Sequence, residues 1–133
     1  MRALSAALTV LALILASCAS AGPGKVSVTL NEWAIKPSPR SVAAGSVTFA
    51  VKNSGKEVHE LAVLKTDIAQ DQLKARANDP TKVEEPGSLG EIEDIDPAAT
   101  KELTLTLTPG AYVLVCNVAG HYASGMHIAF TVK

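Results

Sequence analysis

The sequence contains few aromatic residues, few cysteines and almost no net charge. Aromatic side chains make up 4% of its 133 residues, and the formal net charge is −1. Near-neutral charge offers no basic surface to a phosphate backbone, so we expect no nucleic-acid partner. Its only long apolar run, residues 3–16, is too short to span a bilayer. The length suits one domain with a sizeable core, and the sequence has no internal repeat.

The apolar run near the N-terminus is predicted to be part of a secretion signal. Arg2 precedes the run, and the sequence L-A-S-C at residues 15–18 ends it. This arrangement resembles the lipobox of bacterial lipoproteins, in which cleavage occurs before a cysteine that carries a diacylglyceryl group. The chain is therefore expected to have three parts, which are a lipoprotein signal peptide at residues 1–17, a lipidated Cys18 with a tether at residues 18–25, and a folded domain at residues 26–133. The alternative is an ordinary signal peptide that is cut within residues 16–21.

A lipid on Cys18 would anchor the domain outside the cytoplasm, in the periplasm of a Gram-negative source. Asp directly after the lipidated cysteine is the usual signal for retention in the inner membrane, but here Ala19 follows Cys18. The outer membrane is therefore the expected location. The tether reaches roughly 20–25 Å at about 3.3 Å per residue, which keeps the domain close to the lipid surface. If Cys18 carries lipid, Cys116 has no second cysteine with which to form a disulfide, although the compartment is oxidising.

Short alternating segments predict an all-β sandwich. Apolar and polar residues alternate strictly in L-T-L-T-L at residues 103–107, and a Pro-Gly turn follows at residues 109–110. Further strands are predicted around residues 26–30, 47–51, 58–64, 112–116 and 128–132. Gly and Pro turns separate these strands, which is typical of a β-sandwich.

Three interruptions of this pattern are predicted. Trp33 is assigned to the core, and Pro37 is expected to end regular strand pairing. One short helix is predicted at residues 66–77 as an insertion over the sandwich, because a capping Thr begins it and a proline lies beyond its end. Residues 78–90 are predicted to form a loop.

Cys116, His121 and Met126 follow one another with four residues between each pair, on a short loop between two apolar runs. His59 lies upstream, at the start of another apolar run. One cysteine, two histidines and a weak axial methionine form the donor set of an electron-transfer copper site. A metal would also occupy the single thiol of the domain. The alternative is that Cys116 is a small buried hydrophobe and that Met126 fills the core.

The chain resembles the cupredoxins, the family of small blue copper proteins, over residues 26–133. The resemblance rests on N-S-G-K-E-V-H-E-L at residues 53–61, P-G-A-Y-V-L-V-C at residues 109–116 and C-N-V-A-G-H-Y-A-S-G-M at residues 116–126. The spacing C-x4-H-x4-M is similar to that of the rusticyanin and sulfocyanin groups. The resemblance to the cupredoxins implies an eight-stranded Greek-key sandwich with one type 1 copper, ligated by His59, Cys116, His121 and, axially, Met126. Tyr112 matches a tyrosine that packs beneath the final strands.

Glu60 departs from the pattern of this family. Many relatives carry Asn, Ser or Thr directly after the first histidine, where the side chain ties the two ligand loops together. A carboxylate cannot donate a hydrogen bond unless it is protonated, so Glu60 is expected to point outward or to accept a bond from a loop amide. Asn117 is the nearest candidate for a compensating bond. Alternation in the last strand predicts that His127 lies at the surface and not at the metal.

The resemblance implies a monomeric carrier of single electrons between extracytoplasmic redox proteins. The short tether favours a redox partner at or near the membrane, docking at His121. Four side chains flank His121 and predict an apolar patch suited to weak docking, namely Val118, Ala119, Tyr122 and Ala123. The alternative function is periplasmic copper delivery, but copper carriers usually need extra Met or His residues, and Met126 is the only methionine after Met1. No second histidine cluster exists for a catalytic copper, so we do not expect an enzyme.

Overall fold

The computed structural model describes residues 23–133 and shows two β-sheets. The predicted signal peptide and the lipidated Cys18 lie outside the described residues, so both stay predictions. The strands of the described part are, in chain order, β1 (Gly24–Asn31), β2 (Ala34–Ser38), β3 (Ser41–Val42), β4 (Gly45–Asn53), β5 (His59–Lys65), β6 (Ser88–Ile95), β7 (Thr100–Leu107), β8 (Gly110–Val115) and β9 (His127–Val132). Between residues 23 and 133, no helix is long and apolar enough to cross a membrane.

The two sheets contain four and five strands. The first has the order β2-β1-β4-β7, and the second has the order β3-β9-β8-β5-β6. β1 pairs in parallel with β4, and β3 pairs in parallel with β9, whereas the other neighbours are antiparallel. The predicted all-β sandwich is therefore confirmed, with nine strands where the resemblance implied eight.

Alternate side chains of β1 and β4 fill the space between the sheets. Val26 lies opposite Phe49 and Val28 lies opposite Val51, and all four side chains are buried. The ring of Phe49 meets the ring of Phe130 from β9, with the centroids 5.7 Å apart in an edge arrangement. Such edge contacts are favourable for aromatic pairs. The period-two pattern of the sequence thus determines which faces of the two sheets meet.

β5 and β8 are buried on both faces because a second apolar layer covers their sheet. Six consecutive residues of β5 are buried, from its first residue to Leu64. One face belongs to the main core, and the other packs with Leu73 and Val83 from residues 66–87, here called the covering segment. Strands that are buried on both faces have continuous apolar runs, which explains why the sequence of β5 does not alternate.

The prediction of a helix at residues 66–77 is wrong. These residues form turns and irregular structure, with one isolated β-bridge between Ala75 and Val83. Among the apolar side chains of this stretch Leu73 is buried, whereas Ile68 is 40% exposed. A helix needs a broader apolar stripe to pack against a core. Backbone hydrogen bonds join the two arms of the covering segment instead.

Two further differences from the sequence-based expectation concern edge strands. β6 begins inside the predicted loop at residues 78–90, with Ile92 and Ile95 buried and its acidic side chains exposed. Pro37 lies inside β2, opposite Val28, instead of ending the pairing. Both strands lie at the edge of their sheets. An edge tolerates charged side chains and the missing N–H of proline.

Tyr112 is held under the turn that precedes its own strand. Its side chain is 1% exposed. The hydroxyl donates a hydrogen bond to the carbonyl oxygen of Thr108 at 2.8 Å and accepts one from the Thr108 amide at 3.2 Å. The hydroxyl therefore satisfies both backbone groups of the residue that leads into the Pro-Gly turn.

We expect Tyr112→Phe to lower the free energy of unfolding by about 1–2 kcal/mol, because it removes two hydrogen bonds and leaves backbone groups partly unsatisfied. Urea unfolding of the full chain, followed by circular dichroism, measures this change. An unchanged unfolding midpoint would show that the proline and glycine alone hold the turn.

Candidate metal centre

Two neighbouring strands bring the upstream histidine to the cysteine. β5 begins at His59, and β8 ends one residue before Cys116. The strands pair antiparallel, with Ala62 opposite Val115, so the start of β5 lies beside the end of β8. The loop that follows Cys116 returns to the same place, because the Cys116 amide donates a hydrogen bond to the Met126 carbonyl at 3.0 Å.

The Nδ1 atoms of His59 and His121 and the Sγ atom of Cys116 form a small triangle. The two Nδ1 atoms are 3.2 Å apart, and Sγ lies 3.9 Å from Nδ1 of His59 and 3.5 Å from Nδ1 of His121. In a trigonal site, metal–nitrogen bonds of about 2.0–2.1 Å and metal–sulfur bonds of about 2.3 Å separate the ligand atoms by roughly 3.5–3.8 Å. The triangle therefore has the right size for one metal ion.

Met126 lies beside this triangle. Its side chain is fully buried, and its amide donates a hydrogen bond to the His121 carbonyl at 3.1 Å. His59 and Cys116 are also fully buried, and His121 is 8% exposed. The structure thus brings together all four residues that the sequence singled out. Two imidazoles and two soft sulfur atoms, shielded from water, fit copper better than a hard cation.

The comparison with family models agrees with this arrangement. The model of the cupredoxin-like domain matches residues 4–129, which is nearly the whole chain. The chain belongs to the cupredoxin family. No curated protein sequence is significantly similar to it.

Solved structures share the fold of this cupredoxin. Dithionite-reduced auracyanin from Roseiflexus castenholzii is 20% identical, with a TM-score of 0.62, over 82% of this chain and 96% of its own. Auracyanin A from Chloroflexus aurantiacus, described as a blue copper protein, is 22% identical, with a TM-score of 0.63, over 84% of this chain and 100% of its own. Reduced rusticyanin is 18% identical, with a TM-score of 0.62, over 85% of this chain and 82% of its own. At these identities the likeness shows the fold alone.

The sulfur of Cys116 receives hydrogen bonds from the backbone. The amide of Glu60 lies 3.4 Å from Sγ, and the amide of Val118 also donates to it. Burial raises the pKa of the Cys116 thiol to about 11, and these two donors oppose the rise. A thiolate is therefore costly here without a cation. A metal ion bound to the sulfur would supply the positive charge that offsets this cost.

His59 has a second partner that the sequence did not indicate. Its Nε2 atom lies 3.2 Å from Oε1 of Glu32, which follows β1. The carboxylate therefore meets the side of the ring that faces away from Cys116. Glu32 precedes His59 by 27 positions, and no periodicity or motif in the sequence connects the two. Only the folded hairpin places them together.

The assignment of Trp33 to the core is wrong. The side chain is 45% exposed, and its ring meets the ring of His121 edge-on, with the centroids 4.9 Å apart and the planes at 72°. Trp33 lies in the tight connection between β1 and β2, so it projects from the end of the sandwich and not between the sheets. It covers His121, which is why that ring is less exposed than the sequence suggested. Burial and the nearby His59 lower the pKa of His121.

Glu60 ties the two ligand loops together as an acceptor. It is 8% exposed, and its carboxylate accepts a hydrogen bond from the backbone amide of Asn117. Asn117 is thus the compensating partner, but through its backbone. Its side chain instead bonds both backbone groups of Val83 at 2.8 Å and the carboxylate of Glu85 at 2.9 Å. Asn117 therefore joins the ligand loop to the covering segment.

Two further hydrogen-bonding residues hold the ligand loop against the covering segment. The Gly120 amide donates to the Thr81 carbonyl at 2.8 Å. The Tyr122 hydroxyl donates to the Gln70 carbonyl at 2.8 Å and accepts from the Leu73 amide at 3.1 Å. The loop also needs glycine at position 120, where φ is +81°, a conformation that side chains rarely adopt. The residues on both sides of His121 are therefore fixed by the protein itself.

His127 lies outside the group of candidate ligands. Its ring packs against the ring of Tyr122, with the centroids 4.7 Å apart. The side chain is half-buried and not at the open surface as predicted. Among the described residues no group forms a hydrogen bond with its buried Nδ1 atom, and burial lowers the pKa of His127. A neutral ring that packs on Tyr122 accounts for these observations.

The pH dependence of stability provides a test of the Glu60 environment. Burial raises the pKa of Glu60 above its ordinary value of 4.5, opposed by Lys82 and the Asn117 amide and assisted by Glu85. The unfolded chain therefore releases this proton at a lower pH than the folded chain. The contribution of Glu60 to stability consequently falls as the pH rises through the window above 4.5.

We expect metal-free Glu60→Gln to melt at a higher temperature than the wild type at pH 7, because the variant buries no charge. The difference should shrink toward pH 4, where the wild-type carboxyl is protonated. Thermal unfolding at several pH values measures it, with the exposed Glu93→Gln on β6 as the control that should behave as the wild type at every pH. A lower melting temperature for Glu60→Gln at pH 7 would show that the charge stabilises the loop.

Proposed function

We propose that this cupredoxin carries single electrons between redox proteins outside the cytoplasm, with one copper ion held by His59, Cys116, His121 and Met126. The observation that carries the proposal is the buried triangle of two Nδ1 atoms and one Sγ atom. Its separations of 3.2–3.9 Å suit one ion, and its donors are those of an electron-transfer copper site. The family membership supports the same function.

The protein's part in electron transfer is to keep the donor atoms in place. Copper, when bound, supplies a one-electron couple between Cu(I) and Cu(II). His59 starts a central strand, and Cys116 follows its neighbour, so both are held by the core. His121 lies between two loop residues that are bonded to the covering segment. Ligands that cannot move far need little rearrangement when an electron arrives or leaves.

The surface around Trp33 and His121 is proposed as the docking site for redox partners. Trp33 is 45% exposed and touches the ring of His121. Ala119 and Ala123, which flank His121 in the chain, have exposed small side chains, whereas Tyr122 faces the covering segment. A small apolar surface without a large charge suits brief contacts with partners. This surface adds Trp33 to the predicted patch and does not include the ring of Tyr122.

The burial of the donor atoms favours electron transfer over copper delivery. His59, Cys116 and Met126 are fully buried, and Trp33 covers His121. A carrier that hands its copper to another protein needs donor atoms that a competing ligand can reach. A catalytic copper needs an open coordination position, whereas here four protein side chains lie around one point. We therefore propose neither delivery nor catalysis as the main role.

Replacement of the cysteine tests the site directly. Copper-loaded Cys116→Ser is expected to lose the strong visible absorption of a thiolate bound to Cu(II), while its circular dichroism keeps the β signal. Absorption and circular dichroism of the full chain measure both. The matched control is Cys18→Ser, which removes the other thiol and should keep the colour. A Cys116→Ser protein with the wild-type spectrum would remove the site assignment.

Attachment of the protein to a membrane is proposed to occur through lipid on Cys18. Two acyl chains on one residue give stable anchoring, whereas a single chain binds only marginally. β1 starts at Gly24, so only a short stretch of chain separates Cys18 from this strand. The signal-like residues before Cys18 support secretion.

We expect Cys18→Ala to release the protein from the membrane or to stall its processing, since no lipid can be attached. Membrane fractionation and mass spectrometry of the mature N-terminus measure this, with Ser17→Ala as a control that keeps the cysteine. An unmodified N-terminus within residues 16–21 on a soluble protein would instead show a freely secreted cupredoxin.

A further inference from the structure

We propose that Glu32 is a positioning residue of the copper site, which holds the ring of His59 by its outer nitrogen and favours the oxidised metal. This inference rests on the proposed copper function. Glu32 is not among the four candidate ligands, because its carboxylate meets the side of the His59 ring that faces away from the triangle of donor atoms.

The contact sets which ring nitrogen of His59 carries the proton. Oε1 of Glu32 lies 3.2 Å from Nε2 of His59, and the histidine is fully buried. A carboxylate only accepts hydrogen bonds, so Nε2 carries the proton and donates it to this bond. The lone pair then lies on Nδ1, which faces Cys116 and His121. The bond to Glu32 therefore prepares His59 to bind a metal through Nδ1.

The carboxylate of Glu32 is itself held by the backbone. Oε1 accepts hydrogen bonds from the amides of Lys56 at 2.8 Å and Glu57 at 2.9 Å. Two amides that donate to the same oxygen favour the ionised carboxylate and leave that oxygen as an acceptor. The orientation of the His59 ring thus depends on a fixed turn and not on a freely moving side chain.

Gly55 leaves the space that this carboxylate occupies. A Cβ atom at position 55 would overlap Oε1 of Glu32. The atom it would meet is the end of a flexible side chain, which can move away. Gly55→Ala would therefore displace the carboxylate from His59 without changing any charge, and it provides a test that is independent of substitutions at Glu32.

The expected effect on copper follows from the basicity of the ligand. A carboxylate that accepts the outer N–H of a ligating imidazole makes that ligand more basic. The more basic ligand stabilises Cu(II) more than Cu(I), so Glu32 lowers the reduction potential. The Glu32 side chain is 26% exposed, and solvent therefore screens much of its charge at longer distance. The direct hydrogen bond, and not the net charge, should carry most of the effect.

Four variants separate the hydrogen bond from the charge. Glu32→Gln keeps an acceptor oxygen and removes the charge, whereas Glu32→Ala removes both. Gly55→Ala keeps the charge and displaces the carboxylate. The matched control is Glu57→Gln, which removes an exposed carboxylate from the same turn and leaves the bond to His59 intact. Glu57 is close enough to His121 to influence its pKa, so the control also measures the effect of charge alone.

The first measurement needs no copper. Nitrogen-15 NMR of the metal-free full chain reports which ring nitrogen of His59 carries the proton. We expect Nε2 in the wild type, Glu32→Gln and Glu57→Gln. We expect a mixture of the two forms in Glu32→Ala and Gly55→Ala.

The second measurement is voltammetry of the copper-loaded chain. Glu32→Ala and Gly55→Ala should lose roughly 10–100-fold in affinity for Cu(II) relative to Cu(I). At about 59 mV for each factor of ten, the reduction potential would rise by roughly 60–120 mV. Glu32→Gln should give a smaller rise, and Glu57→Gln should change the potential least, through its charge alone.

The proposal is overturned if the His59 tautomer and the potential are the same in the wild type and in Glu32→Ala. Equal potential shifts in Glu32→Ala and Glu57→Gln would also overturn it, because they would assign the effect to net charge. A wild-type chain that binds no copper would overturn the proposed function. In that case the tautomer in the metal-free chain still decides whether Glu32 positions the ring.

Discussion

The metal centre depends on the pairing of β5 with β8. Ala62 lies opposite Val115 in this register, which sets the start of β5 beside the residue that follows β8. A slip by one residue would turn His59 to the opposite face of the sheet. Such a slip is disfavoured, because side chains of different size and shape pack closely on each face of these two strands. The packing of the core therefore determines the relative positions of His59 and Cys116.

Hydrogen bonds extend this rigidity from the core to the outer side of His59. Asn53, at the end of β4, is fully buried and donates to the carbonyls of Glu57 and Ile95, both at 2.8 Å. Its side-chain oxygen accepts from the Gly55 amide at 2.8 Å. These bonds fix the turn whose amides hold Glu32, and Glu32 in turn contacts His59. The outer contacts of the site are thus formed by the protein alone, which is how a precise metal site is prepared.

The sequence predicted the parts of this protein that depend on local pattern. Alternation located the strands that face one core, and the chemistry of the donor atoms singled out His59, Cys116, His121 and Met126. Contacts made by the hairpin tip could not be predicted in this way. Whether Glu32 and Trp33 reach the site depends on where the β1–β2 turn lies in three dimensions. The presence of a tryptophan in the sequence does not show whether its side chain is buried or exposed in the fold.

The error at residues 66–77 has a different physical origin. Good helix formers were present there, but the backbone and side chains of this stretch are used in tertiary contacts with the ligand loop, including the bonds from Tyr122 to Gln70 and Leu73. Helix propensity is a weak prior that such contacts override. The segment that looked like an insertion over the sandwich is therefore part of what holds His121 in place.

The course of β1 determines how the metal centre lies relative to the predicted anchor. β1 starts at Gly24, within the predicted tether of residues 18–25, and ends at Asn31, beside the tip that contacts His59 and His121. Its 8 residues span roughly 25 Å at about 3.3 Å per residue. The metal centre therefore lies at the end of the sandwich opposite the start of β1. If lipid on Cys18 anchors the chain, the end of the domain where β1 starts would lie near the membrane. The surface around Trp33 would then face away from the membrane. A redox partner that docks at this surface would then have to extend to the end of the sandwich that lies away from the lipid.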